Sequence, residues 1–352
     1  MPLTRRSLLT CAGTAVWAQT RRPGPERLRY LDSGTEQEVT RLTDPKLSSC
    51  WLPLPHHVVF SRRLNALLYL SDRSGSRQLW TMDLKSFNSR PWPQAAAIDP
   101  GAFTFTADER SMVYSGSGVL WFQASAGPAR KLYTFENAPG RGIAVTPEGY
   151  ALAGDGLRLR QVLLARATAG TIIEAKDPVS DPMPRPRRAS VLYRAGDALW
   201  LAHLDGQRNF KLKTAEGIIG QALWAPDGRT VFYLHAAAAG KPNTLREADP
   251  DTGEDQPVAA TSNYASFCSN RDASVIAGAS GSKAGPYMLL MLRKPKRERA
   301  LCEHRALDPT AVGPVFSPDS QRLVFTSELH GKPAIYMIDL QRLVEKTDEV
   351  SS

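Results

Sequence analysis

A short β-strand unit recurs along the chain at a nearly constant spacing. Its clearest copy joins the turn at residues 316–320 (Phe-Ser-Pro-Asp-Ser) to two apolar runs, at residues 323–327 and 334–340. The Pro-Asp pair favours a tight turn, and runs rich in Val, Leu, Phe and Tyr suit a half-buried strand. One such unit cannot bury both of its faces, so neighbouring units must stack. The repeat therefore predicts a β-propeller.

Further copies of the unit divide the chain into blades. Anchors begin near residues 60, 105, 145, 224, 269 and 316, and residues 189–202 hold a copy without the Pro-Asp turn. Six steps of about 43 residues, a common size for a propeller blade, lead from the anchor at 60 to the anchor at 316. The sequence thus predicts an all-β, seven-bladed β-propeller, with six or eight blades as the open alternatives.

The last unit has no convincing fourth strand. Residues 37–43 (Gln-Glu-Val-Thr-Arg-Leu-Thr) alternate polar and apolar side chains ahead of the first anchor. A strand from the start of the chain would complete the last blade and remove an exposed sheet edge. We therefore predict a propeller over residues 35–345 that is closed by an N-terminal strand, with a linker at 19–34 and a polar tail at 346–352. The alternative is that residues 37–43 form only a linker strand.

The first 18 residues have the pattern of an export signal. Arg5 and Arg6 stand directly before an apolar stretch that ends with small residues at Ala18. This predicts a twin-arginine signal peptide over residues 1–18 and a periplasmic or extracellular protein. A frayed basic terminus and a lipid anchor at Cys11 are the alternatives. No transmembrane segment is expected, because no apolar run reaches the 18 or more residues that a spanning helix needs.

Export bears on the four cysteines of the chain. Once Cys11 is removed with the signal, three widely spaced cysteines remain without a Cys-x-x-Cys pair, which argues against a metal cluster. One disulfide is then possible, most simply between Cys268 and Cys302. Single buried thiols are the alternative.

The formal net charge is +9, and two basic runs, residues 185–188 and 293–299, fall between strands. A nucleic-acid surface needs basic groups interleaved with aromatic side chains, and these runs have none. Nucleic acid is therefore not expected as a partner. The runs are either solvated loops or a means of attracting an anionic polymer, such as an acidic polysaccharide or a lipid surface.

The first and last units resemble the oligogalacturonate lyase family and, more loosely, the TolB-type β-propeller repeat proteins. The resemblance rests on residues 41–44 (Arg-Leu-Thr-Asp), 70–75 (Leu-Ser-Asp-Arg-Ser-Gly), 79–84 (Leu-Trp-Thr-Met-Asp-Leu) and 316–337. The resemblance extends over residues 30–340, but in the middle blades only the repeat pattern itself is shared. It implies a seven-bladed propeller that cleaves short pectic uronides by β-elimination, with a histidine as base and a manganese ion held mainly by histidines.

In such an elimination, a base removes the proton next to the uronate carboxylate, while a divalent cation neutralises that carboxylate. The chain departs from the family at the positions that supply these groups. The family's His-Pro-His-Pro element matches residues 311–314 (Ala-Val-Gly-Pro), its sixth-blade histidine matches Ser266, and its base-bearing histidine matches Gln221. An amide is not a base near neutral pH. We therefore expect no catalytic residue from the family's set, no metal and no cofactor.

His56 and His57 precede the presumed innermost strand of blade 1, where one of them can face the central channel. The sequence predicts an exported binding module that takes an anionic saccharide or a protein partner at the channel mouth without catalysis. The expected contacts are His57, Arg141, Gln221, Tyr264 and Ser266. The alternative is a polysaccharide lyase that cleaves oligogalacturonides by β-elimination with active residues re-sited around the histidine pair. A scaffold for protein partners is a third possibility.

Overall fold

The computed structural model describes residues 26–341 apart from residues 55, 94–97, 100, 126 and 262. In this part the chain forms seven antiparallel sheets that follow one another around a central channel. The prediction of an all-β, seven-bladed propeller is confirmed. The predicted signal peptide and the polar tail lie outside the described residues.

The strands are short and run in sequence order. Two strands precede blade 1, namely β1 (Leu28–Leu31) and β2 (Glu38–Arg41). Blade 1 contains β3 (Cys50–Trp51), β4 (Phe60–Ser61), β5 (Ala66–Ser71), β6 (Gln78–Asp83) and β7 (Ser89–Pro91). Blade 2 contains β8 (Phe103–Phe105), β9 (Ser111–Gly116), β10 (Val119–Ala124) and β11 (Arg130–Thr134). Blade 3 contains β12 (Pro139–Val145), β13 (Tyr150–Asp155), β14 (Arg158–Leu163) and β15 (Thr168–Glu174).

Blade 4 contains β16 (Val179–Pro184), β17 (Ser190–Ala195), β18 (Ala198–His203) and β19 (Asn209–Lys211). Blade 5 contains β20 (Ile218–Trp224), β21 (Val231–Ala236), β22 (Thr244–Ala248) and β23 (Asp255–Ala260). Blade 6 contains β24 (Tyr264–Ser269), β25 (Val275–Ser280), β26 (Tyr287–Leu292) and β27 (Arg297–Glu303). Blade 7 follows a short 3-10 helix (Pro309–Ala311) and contains β28 (Val315–Phe316), β29 (Arg322–Ser327) and β30 (Ala334–Asp339).

The N-terminal strands close the ring. Strand β2 pairs with β30, with Thr40 opposite Met337 and Arg41 opposite Tyr336, which confirms the predicted closure. Strand β1 adds a fifth strand to the same sheet, within the range 19–34 that we expected to be a linker. The ring of Tyr30 in β1 packs edge-on against Tyr336, which helps to hold this mostly exposed strand in place.

The turn between the first two strands of each blade explains the repeat. Each of the seven turns contains one residue in the left-handed region: Asn65, Glu109, Gly149, Arg187, Gly228, Ala273 and Ser320. Glycine adopts this conformation without steric cost, which accounts for the Pro-Asp-Gly consensus. Blade 4, which lacks the Pro-Asp pair, makes the same turn at Arg187.

The core lies between neighbouring blades. One cluster joins Leu67 and Tyr69 of blade 1 to Val324 and Ile335 of blade 7, so the seam of the ring is packed like the other interfaces. Large buried rings recur in the second strand of most blades, namely Tyr69, Tyr114, Tyr193, Tyr233 and Phe325. Blade stacking thus buries the sheet faces that a single blade leaves open.

Cys50, Cys268 and Cys302 are free and buried, so the possible disulfide between Cys268 and Cys302 is not formed. Burial raises the pKa of all three thiols. Among the described residues, no helix is both long enough and apolar enough to span a bilayer.

Candidate functional site

The channel mouth, defined here as the end of the channel where the innermost strands begin, is shaped by backbone irregularities. The innermost strands of blades 3 to 6 each shift register near their start, in β12, β16, β20 and β24. Such bulges re-aim side chains away from the ladder. In four consecutive blades, the residues that face the channel mouth therefore differ from those that regular strand alternation would place there.

In blade 1 the innermost strand is interrupted. Strand β3 pairs with the end of β5 and β4 with its beginning, so the strand pairing is interrupted between Trp51 and Phe60. Val58 bonds to blade 2, because its N–H donates to Thr104 Oγ1 (3.0 Å) and its carbonyl accepts from Phe105 N (3.0 Å). His56 and His57, which directly precede Val58, lie next to blade 3.

His57 is buried and contacts β12. Its Nε2 accepts from the Ile143 backbone N–H at 3.4 Å, which in the neutral ring places the proton on Nδ1. The His56 ring lies edge-on to it, with the centroids 4.4 Å apart. His56 Nε2 and Asp181 Oδ1 both lie within 3.4 Å of the point that a Cβ on Gly142 would occupy. Gly142, at φ +79°, thus permits the close approach of three blades.

A carboxylate between two guanidiniums forms the charged part of the mouth. Arg141 donates two hydrogen bonds to Asp181, from Nε at 2.9 Å and from Nη2 at 2.6 Å. Arg194 Nε lies 3.9 Å from the same carboxylate, and its Nη2 donates to the Gly220 carbonyl at 2.6 Å. The side chain of Asp181 is 9% exposed, whereas that of Arg141 is 61% exposed. The group thus carries one net positive charge, with Arg141 facing solvent.

The two imidazoles are neutral at physiological pH. Burial lowers the pKa of His56 to about 4, with Asp181 opposing and Arg141 reinforcing the shift. Burial also lowers the pKa of His57, and the neighbouring His56 adds to this effect. Neither ring adds positive charge to the mouth near pH 7.

Gln221, the position matched to the family's base, holds two blades together. Its Nε2 donates to the Phe267 carbonyl and its Oε1 accepts from the Phe267 N–H, both at 2.8 Å. The amide thus acts as one residue of an extra strand along the edge of β24. Ser266 is also engaged, because its Oγ donates to the Pro309 carbonyl at 2.9 Å.

Tyr264 does not reach the mouth. Its side chain is fully buried, and its ring lies over Gly278, whose Cβ, if present, would be 2.5 Å from a ring carbon. Gly278 is in the second strand of blade 6, where most other blades carry a large ring. Tyr264 fills that space from the first strand, so a ligand at the mouth cannot contact it.

The structure therefore brings together His57 and Arg141 of the five expected contacts. Gln221 and Ser266 make bonds within the fold on the side of blades 5 to 7. Sequence reasoning missed Asp181 and Arg194, which belong to the blade without the Pro-Asp turn. The Gly-Arg-Gly run at residues 140–142 was the available signal for a close backbone approach in this region.

The metal implied by the resemblance needs a set of oxygen and imidazole donors around one point. No group of three or more His, Cys, Asp or Glu side chains suited to a metal occurs in the described part of the chain. Asp181 is already paired with Arg141, and His57 Nε2 is occupied by Ile143. Two guanidiniums also repel a cation at this place. The residues at the mouth do not fit a manganese site.

No known protein-family model matches the chain. An oligogalacturonide lyase of Pectobacterium atrosepticum is 26% identical over 212 residues, which cover 51% of this chain and 54% of the relative. An oligogalacturonate lyase of Dickeya dadantii is 22% identical over 214 residues, with the same coverage. The chain thus spans about half the length of the curated relatives it matches.

Solved structures are similar over nearly the whole propeller. An oligogalacturonate lyase in complex with manganese has a TM-score of 0.82 and 22% identity, covering 91% of this chain and 97% of that chain. An oligogalacturonate lyase from Vibrio parahaemolyticus has a TM-score of 0.80 and 22% identity, covering 89% and 96%. The chain is therefore an oligogalacturonate lyase-like β-propeller with distant sequence similarity to those enzymes.

Proposed function

We propose that the protein binds an acidic oligosaccharide at the channel mouth and does not cleave it. The observation that carries the proposal is the exposed guanidinium of Arg141, which the buried carboxylate of Asp181 holds in place. A guanidinium has five N–H donors, and two of those of Arg141 are used by Asp181. The remaining donors face the mouth and suit a uronate carboxylate.

The charge of the site supports an anionic ligand. Arg141 and Arg194 flank the single carboxylate of Asp181, so one positive charge is uncompensated within this group. A ligand carboxylate would neutralise it by a charge-assisted hydrogen bond to Arg141. The bidentate pairing with Asp181 already restricts the rotamers of Arg141, so ligand binding costs less side-chain entropy.

Catalysis by elimination requires a stronger base than the mouth offers. The proton next to a carboxylate is weakly acidic, and general-base catalysis works best when the pKa of the base lies near the operating pH. His56, with a pKa of about 4, is a weak base, and the Nε2 lone pair of His57 faces the Ile143 N–H. Gln221 supplies only an amide.

One observation favours the lyase alternative. The Nε2 atom of His56 is buried and has no hydrogen-bond partner among the described residues, although it lies beside the Arg141 and Asp181 pair. A ring nitrogen free to take a proton is what a re-sited base would need. The decisive experiment must therefore measure binding and turnover together.

The test is calorimetric titration of the purified protein with short oligogalacturonides, alongside an absorbance assay for the unsaturated elimination product with and without manganese. We expect binding without product, and Arg141→Ala should weaken binding about tenfold through loss of a charge-assisted hydrogen bond. Arg158→Ala is the matched control, because Arg158 also forms a salt bridge in blade 3, but it lies on the third strand and pairs with Glu136. Product that disappears in His56→Ala would establish the lyase instead, and equal affinity of the Arg141→Ala variant would refute the site.

We further propose that binding takes place outside the cytoplasm. The support is the sequence of residues 1–18, where the paired arginines precede an apolar stretch.

A further inference from the structure

A basic cavity lies on the face of the propeller opposite to the channel mouth. The turns that follow the innermost strands of blades 4, 5 and 6 form it. A seven-residue innermost strand such as β20 is about 20 Å long, so the cavity and the channel mouth lie at opposite ends of it. Its volume is about 260 Å³, and its lining includes Arg187, Arg229, Arg271 and Arg293. One residue from each basic run of the sequence, Arg187 and Arg293, thus lines this cavity.

Four arginines and three carboxylates line this cavity, so its lining carries one net positive charge. Arg293 Nη2 pairs with Glu247 at 2.5 Å. The guanidiniums of Arg187, Arg229 and Arg271 form no hydrogen bond or ion pair with the residues that the structure describes. The remaining acidic groups of the lining serve their own turns, since Asp227 accepts from the Arg229 backbone N–H (2.9 Å) and Asp272 from Ser274 (2.6 and 3.0 Å).

The turn that carries Arg187 is fixed to the next blade. The buried side chain of Arg185 donates to the Gly228 carbonyl at 2.7 Å and makes two bonds to Asp251, at 2.9 and 2.7 Å. It also lies over the ring of Trp224, 5.1 Å from the centroid. The backbone that presents Arg187 is therefore held rigidly, as a preorganised binding site requires.

A second cavity continues the basic surface toward blade 1. It has a volume of about 670 Å³, lies at the seam between blades 7 and 1, and is also lined by Arg271. Arg62, Lys85 and Arg322 line it as well, above apolar side chains such as Met337. Arg271 thus connects two basic cavities into one path across this face, which we call the basic groove.

We propose that the basic groove binds a linear acidic polysaccharide, whose carboxylates pair with Arg187, Arg229 and Arg271 while the chain continues into the second cavity. This proposal does not depend on the site at the channel mouth. Arginine is suited to it, because its planar fork matches a carboxylate. A polymer with a charge on each sugar can contact both cavities at once, which raises its affinity over that of a single anion.

The lining disfavours the other common polyanions. A single-stranded nucleic acid needs exposed aromatic rings for stacking, but no aromatic residue lines the first cavity and Phe60 in the second is buried. A membrane surface is held by exposed apolar side chains together with basic ones. None of the exposed large hydrophobic residues of the described chain lines either cavity.

The test uses polygalacturonate as the probe and the double variant Arg229→Ala, Arg271→Ala. We expect its affinity to fall by about tenfold for each arginine, because each loses a hydrogen bond between charged groups. The control is Arg90→Ala with Lys131→Ala, which removes the same charge from exposed outer strands of blades 1 and 2. Polymer binding should also weaken as salt is raised, since screening acts over about 10 Å at 0.1 M ionic strength.

Two comparisons separate this site from the channel mouth and from other ligands. Arg141→Ala should leave intact the part of polymer binding that depends on Arg229 and Arg271. The double variant should leave intact the binding of short oligogalacturonides at the channel mouth. The fully methyl-esterified polymer, which is neutral, should not bind the groove. Equal polymer affinity of the double variant and the control would overturn the proposal, as would tighter binding of single-stranded DNA or of anionic vesicles that depends on the same arginines.

Discussion

Replacing Gln221 by Ala tests whether this residue is a structural clamp. The substitution leaves the Phe267 N–H and carbonyl, both bonded at 2.8 Å to the Gln221 amide, without their partner. An unsatisfied buried polar group costs about 1–3 kcal/mol. Water in the channel can take over part of this bonding. We therefore expect the free energy of unfolding to fall by about 2 kcal/mol for the two bonds together.

The measurement is urea unfolding followed by tryptophan fluorescence, with the free energy extrapolated to water. Gln161→Ala is the matched control, because the Gln161 side chain makes no hydrogen bond to the described residues, and it should change stability by less than about 0.5 kcal/mol. Gln221→Glu keeps the acceptor for the Phe267 N–H but places an oxygen against the Phe267 carbonyl. It should therefore also be less stable than the wild type. If Gln221→Ala is as stable as the control and instead lowers saccharide affinity, Gln221 is a ligand contact and the clamp interpretation is wrong.

Three further predictions concern pH, ring closure and export. Because burial lowers the pKa of His56 from 6.5 to about 4, the unfolded chain binds more protons between these values, so stability falls as the pH drops. Between pH 7 and pH 5 this loss should be about 2 kcal/mol, and urea titrations of His56→Gln should show it reduced. Leu42→Ala at the seam, where the side chain is buried against blade 7, should cost about 3 kcal/mol in the same assay. Leu28→Ala on the exposed side of β1 should cost less than about 0.5 kcal/mol, and equal effects would contradict a seam closed by β2. Replacing both Arg5 and Arg6 by Lys should retain the precursor in the cytoplasm in cell fractionation, whereas unchanged export would refute the twin-arginine assignment.

The fold could be predicted because its signals are local. A tight turn with a left-handed residue and a buried strand on each side recurs in every blade, and such turns depend on a few neighbouring residues. The closing strand β2 was also predicted, from the alternation of polar and apolar residues at 37–43, although the structure buries both Val39 and Thr40. Strand β1 was missed because its side chains are largely exposed and give no alternation.

The site was harder to predict because bulges decide which side chains face the channel. The family resemblance placed Gln221 and Ser266 at the mouth, and Tyr264 was expected beside them, but register shifts in β20 and β24 change where these side chains point. The case of Tyr264 shows a further limit. Whether its ring fills the core depends on Gly278, a residue on another strand, and no local pattern connects the two.

Our proposal of binding without cleavage follows from what a guanidinium can and cannot replace. In an elimination, a divalent cation lowers the free energy of the carbanion-like state, which carries more charge than the bound carboxylate. Arg141 supplies one positive charge, and two of its five N–H donors are already directed to Asp181. It can therefore hold the ground-state carboxylate without favouring the transition state by a comparable amount. Since the nearby imidazoles are weak bases, a variant that adds a histidine at Gln221 alone should gain no elimination activity, and measurable product from Gln221→His would show that the mouth needs only a base.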